Sequence, residues 1–284
     1  MRTAVFICLY GLFFGSPATA QEQASGLLTV QALLDDKSCT FILDTGASVH
    51  AISSLHSKHL KERIGFGEIS TIGGSVQQQV FRIDTLQIND ASITVSASIQ
   101  IDAERLSHLA GDHVDGILGC LALQSGSVRI IDGKAAEFLP NDVRLPDTTD
   151  DFHISFDQHG RPFLSEVSLA GSRQFMLIDT GFRGSVSLSA VVFNGLLHSE
   201  EIEDVSMTRV ETIHGVADVR SGRLNLLKLG DMEFRDVPVI EGHENSLGLD
   251  FFKGAEVVID FKRYAFLVLK RTKSWKRSGP PSSD

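Results

Sequence analysis

Phe41-Ile42-Leu43-Asp44-Thr45-Gly46-Ala47-Ser48 and Met176-Leu177-Ile178-Asp179-Thr180-Gly181-Phe182-Arg183-Gly184-Ser185 decide the reading of this chain. Each is an apolar run that ends in Asp-Thr-Gly. A strand closing on a carboxylate and turning sharply through glycine is half of a two-carboxylate site, and two such halves can make a whole one. At ordinary residue usage about one chain in twenty of this length would hold one such triplet by chance. Two, both at strand ends, call for a common cause.

The surroundings repeat as well. About 70 residues after each triplet comes a short stretch ending in glycine, Gly116-Ile117-Leu118-Gly119 and Asn245-Ser246-Leu247-Gly248. Between them lie Thr71-Ile72-Gly73-Gly74 and Thr212-Ile213-His214-Gly215, and then Ile83–Asp90 and Leu224–Asp231 at matching spacing. Ahead of the triplets, Leu28, Val30, Ala32 and Leu34 alternate toward Asp35-Asp36, as Phe163, Ser165, Val167 and Leu169 do toward Ala170-Gly171. The two aspartates stand 135 residues apart. That period is too long for a solenoid and suits an internally duplicated pair of small domains.

Composition agrees. The chain has 284 residues, 42% hydrophobic and 22% charged, enough apolar content for two cores. A formal net charge of −10 argues against nucleic acid or an anionic membrane as partner of the main body. The first twenty residues read as a signal peptide. Arg2 is the n-region, Ala4 to Phe14 the apolar core and Ala18-Thr19-Ala20 the cleavage site, so the mature chain starts near Gln21 in a periplasm or outside the cell, with no stable membrane insertion. Cys8 leaves with that segment. Cys39 lies five residues before Asp44 and Cys120 directly follows Gly119. Five extended residues span about 16 Å, beyond a disulfide's reach, so both are expected unpaired and partly buried.

Short Val-, Ile-, Phe- and Thr-rich runs dominate: Val76 to Ile88, Ile93 to Ile101, Ser127 to Ile131, Val257 to Phe261 and Ala265 to Leu269. Helix is expected at Ser54 to Glu62, Leu121 to Gln124 and Asp250 to Lys253. The polar, proline-punctuated segment 140–151 reads as a linker between β lobes at 26–139 and 152–270, and 271–284 as a basic disordered tail.

The order Asp-Thr-Gly, glycine-containing hairpin, apolar-apolar-Gly resembles the retropepsin-like aspartic proteases, in a bacterial-type single chain with two fused lobes. Leu247–Phe252 and Val257–Phe261 resemble that family's closing segments. The resemblance implies an all-β fold of two closed barrels related by a pseudo-two-fold axis, with the site at their interface. Pepsin-like relatives have longer lobes and a flap tyrosine. Here the tyrosines are Tyr10 and Tyr264, in the signal segment and the last strand.

The chemistry follows from the residues. Two carboxylates a few ångströms apart cannot both ionise, so one of Asp44 and Asp179 keeps a proton while the other acts as base toward a shared water. Thr45 and Thr180 can hydrogen-bond to the opposite strand end, and Gly46 and Gly181 let the backbone turn beneath the carboxyls. Ile72, Gly73 and Gly74, with Ile213, His214 and Gly215, form two hairpin tips over an extended peptide. Phe182 and Arg183 depart from the family pattern, and Arg183 is expected to bring a cation near the dyad. The expected activity is aspartic endopeptidase, with a peptide or protein substrate, one complete site per monomer, no cofactor and no metal. His50, His56, His59, His108, Asp112 and His113 lack the spacing of a metal motif. No Gly-x-Ser-x-Gly elbow supports a serine hydrolase. The alternative is a non-catalytic peptide-binding protein on the same fold.

Overall fold

A computed structural model describes residues 5–6, 26–34, 36–59, 62–71, 74–82, 85–88, 91–94, 98–124, 126–140, 150–213, 215–272 and 275. The fold is predominantly β, and its described strands fall into two sheets of ten and twelve strands.

In the first sheet, Lys37–Asp44 is central. It pairs antiparallel with Thr29–Leu34 and parallel with Gly116–Gly119, which in turn pairs antiparallel with His50–Ser53. Its sequence explains the place. Lys37 and Ser38 are exposed, whereas Phe41, Ile42 and Leu43 are wholly buried, so the strand runs from the surface into the core and delivers Asp44 there. Each such side chain contributes about 1.5–3 kcal/mol of burial. Beyond His50–Ser53 the sheet continues through Ser98–Ile101 to the hairpin Arg63–Thr71 and Gly74–Phe81.

The second sheet repeats that order. Ser172–Ile178 pairs with Ser246–Leu247, then come Val186–Ser189, Met232–Gly242 and the long hairpin Ile202–Thr212 and Gly215–Leu229. On its other side it runs through Pro162–Leu169 and Asp150–Phe156 to Ala265–Arg271, Ala255–Asp260, Gly126–Ile131 and Ala135–Pro140.

Two features differ from the sequence reading. All but the last residue of the hairpin Gly126–Ile131 and Ala135–Pro140 falls within the expected first lobe, 26–139, yet the hairpin is hydrogen-bonded to Ala255–Asp260 in the second sheet. The apolar faces of Val128 and Ile130 are fully buried there. Residues 141–149 of the linker lie outside the described residues. The start of the supposed tail is structured: Arg271 ends a strand, and Trp275 is 2% exposed, with its ring 5.1 Å from Phe234 and 5.4 Å from Phe251. Burying an indole outweighs the solvation of the neighbouring basic residues. Residues 1–4, 7–25 and 276–284, which carry most of the signal and tail readings, are outside the described residues, although Val5–Phe6 pairs with Gly67 and Glu68.

Helix is sparse. Ser54–His59 is a 3₁₀ turn, Cys120–Leu123 a short α-helix and Leu249–Phe252 a 3₁₀ turn, close to the expected positions. Two α-helices, Ala103–Ala110 and Ala190–His198, were not foreseen. The run expected from Val76 to Ile88 is two strands, one ending at Phe81 and the next starting at Thr85, and in the run from Ile93 to Ile101 the described residues belong to the strands Ala91–Thr94 and Ser98–Ile101.

Candidate active site

The two Asp-Thr-Gly loops meet. Thr45 N–H donates to Thr180 Oγ1 at 3.0 Å, and Thr180 N–H donates to Thr45 Oγ1 at 3.1 Å. Each hydroxyl passes its own proton onward, Thr45 to Ile178 O at 2.6 Å and Thr180 to Leu43 O at 2.7 Å. Each threonine is thus a donor and an acceptor to the partner strand, and both are wholly buried. Four buried hydrogen bonds fix the separation of the loops, since loss of either hydroxyl would strand a carbonyl without a partner.

The carboxyls are positioned by the same exchange. A Cβ on Gly46 would stand 2.5 Å from Asp179 Oδ1, and one on Gly181 would collide with Asp44. Each aspartate therefore lies over the glycine of the opposite triplet, where any side chain would displace it. Asp44 Oδ1 accepts from the N–H groups of Gly46 and Ala47, both at 2.9 Å, and Asp179 Oδ1 from Gly181 N–H at 3.0 Å.

Both carboxyls are 1% exposed. Burial pushes Asp44 up to about 7, against the lowering effect of the Ala47 and Gly46 amides, the Arg161 charge and a hydrogen bond from Asp179. Asp179 is raised well above the usual carboxylate range, by burial first and then by the negative charges of Asp44 and Glu244. Two buried acids in contact hold a proton between them to a higher pH than a free aspartate would.

Supporting residues lie beside these loops. Gly119 is in register with Asp44, and Asp179 N–H donates to Leu247 O at 2.9 Å. Cβ atoms on Gly119 and Gly248 would strike the carbonyl oxygens of Val49 and Gly184 respectively, so each glycine admits the adjacent loop backbone.

The sequence departures have clear places. Phe182 is buried with Val210 and Val219, filling the underside of the hairpin Ile202–Thr212 and Gly215–Leu229. Arg183 lays its guanidinium against Gly26. The cation whose charge bears on both carboxyls is Arg161, which sequence reasoning missed. It is 7% exposed, with Nε 2.8 Å from Asp157 Oδ2 and Nη1 2.6 Å from Glu244 Oε1.

Of the hairpin-tip residues, Ile72, Gly73 and His214 lie outside the described residues. Gly74 pairs with Thr71, Ile213 is half-buried against the core, and Gly215 has φ +140°, a conformation that favours glycine. A second unforeseen residue holds this tip. Arg105, on the helix Ala103–Ala110, donates through Nη2 to Thr212 O at 2.6 Å and Gly215 O at 3.2 Å.

Among the histidines, His50 is buried and its Nδ1 accepts from Gly119 N–H at 3.2 Å, and burial pulls it down to about 4, so it packs as a neutral ring. His56 and His113 both reach Asp115. Cys39 and Cys120 are free and fully buried, and burial raises both thiols.

No curated protein matches the chain. Residues 30–120, which span the first Asp-Thr-Gly loop and the first glycine stretch, match the family model described as aspartyl protease. Over that stretch, about a third of its length, the chain is similar to the aspartyl proteases.

Proposed function

We propose that the protein is an active aspartic endopeptidase whose single site is made by Asp44 and Asp179 of one chain. The observation that carries this is the reciprocal seating of each carboxyl on the opposite glycine, locked by the threonine exchange. Matching strand orders in the two sheets support an internal duplication with one half-site per lobe.

The reaction needs a water held between the carboxyls. Asp44 accepts amide N–H bonds from Gly46 and Ala47 that stabilise its anion, whereas Asp179 faces the negative charges of Asp44 and Glu244. That asymmetry favours the shared proton on Asp179. Asp44 then takes a proton from the water as its oxygen attacks the peptide carbonyl, and Asp179 gives its proton to the carbonyl oxygen. The resulting gem-diol collapses when Asp44 returns its proton to the departing amine and Asp179 recovers one from a hydroxyl. Gly215, with exposed Val216 beside it, offers close backbone approach and an apolar surface to an extended peptide. The amino-terminal leader read from sequence supports action after export.

The test is digestion of a mixed peptide library by the mature protein from acid to neutral pH, read by mass spectrometry. Wild type should cleave, while Asp44→Asn and Asp179→Asn should each lose at least about 10³-fold in kcat, with circular dichroism unchanged. Near-normal turnover in either variant would overturn the dyad. Peptide binding without cleavage by wild type would establish the non-catalytic alternative.

A further inference from the structure

The strands that carry Asp44 and Gly119 also have far ends, and chemistry gathers there. Cys39 lies five residues before Asp44 on one strand, about 16 Å away along an extended chain. Asp115 immediately precedes the neighbouring strand Gly116–Gly119, and its backbone is pinned on both sides, N–H to Thr40 O and carbonyl to Ser53 N–H, each at 2.7 Å. His56 follows the third strand, His50–Ser53, on the 3₁₀ turn. One ligand atom each from Cys39, His56 and Asp115 lies within 4.8 Å of the others. A fourth group is at hand: His113 Nε2 is 3.1 Å from Asp115 Oδ1, the same oxygen that His56 Nε2 meets at 2.6 Å.

The carboxylate is oriented for ligation. Thr40 N–H binds Asp115 Oδ2 at 2.8 Å, which turns Oδ1 toward both imidazoles. Cys39 is 1% exposed, and the side chains of Asp115 and His56 are 8% and 18% exposed, while His113 at 63% faces solvent. A thiol, a carboxylate and two imidazoles on a rigid three-strand base, three of them shielded and one at the mouth, form a donor set of nitrogen, oxygen and sulfur.

We propose that Cys39, His56, Asp115 and His113 bind one divalent zinc-type ion. Zinc takes four ligands of these kinds in tetrahedral arrangement. The thiolate and carboxylate together offset its two positive charges, so the buried complex is neutral, which a burial site favours. Binding releases the Cys39 thiol proton to solvent, and each imidazole ligates through Nε2 with its remaining proton on Nδ1. Hard oxygen-preferring ions such as magnesium are disfavoured by the thiolate. The ion would tie the outer ends of the three strands whose inner ends form the first catalytic loop, and this assignment does not depend on peptidase activity.

The experiment uses the full mature chain, reduced and metal-free, titrated with Co²⁺ as a spectroscopic probe and then with Zn²⁺. We expect one equivalent of Co²⁺ to give a thiolate-to-cobalt charge-transfer band and tetrahedral visible bands. One equivalent of Zn²⁺ should remove them and raise Tm. Cys39→Ser should abolish the charge-transfer band, Cys120→Ser should keep it, and Asp115→Asn should weaken Zn²⁺ binding about tenfold or more. Absence of any band or Tm rise in wild type, which needs no variant to fold, overturns the proposal. So does a band that survives Cys39→Ser or disappears in a folded Cys120→Ser.

Discussion

Asp44 and Asp179 are the same residue in the same motif, but their surroundings are unequal. Asp44 Oδ1 accepts from the Gly46 and Ala47 amides and Asp179 Oδ1 from the Gly181 amide, and the negative charge of Glu244 bears on Asp179. Both are nonetheless held above the ordinary carboxylate range. A folded-state pKa above the unfolded one stabilises the fold below the unfolded value, and that stability is lost as pH rises through the folded value. The native dyad should therefore become less stable between about pH 4 and 7, by roughly 1.4 kcal/mol per pH unit for each proton retained. Asp179→Asn keeps the shape and removes one titration. The difference in Tm, variant minus wild type, should be near zero at pH 4 and clearly positive at pH 7. A difference flat with pH would show that the pair retains no extra proton. The carboxyls, threonines and glycines of this site could all be named from the sequence, because each is specified by local strand-and-turn chemistry. Arg161 could not. Glu244 lies 83 positions away from it, and the meeting exists only after the segments fold together.

Among the elements, the helix Ala103–Ala110 is the most consequential one that the sequence reading passed over. Its signals were present: Asp102 accepts from Arg105 N–H as an N-cap, Leu106, Leu109 and Ala110 are buried on one face, and Gly111 closes it at φ +69°. The β-rich run before it drew the reading toward strand and loop. Ala190–His198 was harder to read, since Val191, Val192 and Gly195 are weak helix formers and tertiary burial of Phe193 and Leu196 decides the outcome. The function of the first helix rests on Arg105. It spans 107 positions to hold Thr212 O while Thr212 Oγ1 donates to Gly215 O at 3.1 Å. Arg105→Ala should loosen the hairpin tip. Amide hydrogen exchange over residues 210–217 should quicken, and KM for extended peptides should rise about three- to tenfold with kcat less affected, because a loose tip loses peptide-ordering contacts more than chemistry. Arg105→Lys should restore part of the protection. Exchange and KM both unchanged in Arg105→Ala would reduce the contact to ornament on the surface.

For the molecule as a whole, the sheet boundary lies at a different point from the one that the repeat suggests. The sequence reading places residues up to 139 with the first half, but hydrogen bonding places the hairpin 126–140 on Ala255–Asp260, and Arg129 crosses to Glu256 at 2.5 Å. Periodicity detects ancestry of segments, whereas strand exchange is decided by which apolar face finds cover. Val128 and Ile130, each fully buried, find it in the second sheet. A fragment of residues 26–139 should consequently expose that face. It should bind a hydrophobic dye and show no peptidase activity even though it contains Asp44. In the proposed single-chain site, by contrast, both triplets are held by four buried threonine hydrogen bonds, so its assembly would involve no encounter between molecules. Specific activity should stay constant on dilution from micromolar to nanomolar protein, and sedimentation should report a monomer over the same range. A site shared between two chains would instead lose activity steeply as the dimer dissociated, and a dilution curve of that form would refute assembly of the site within one chain.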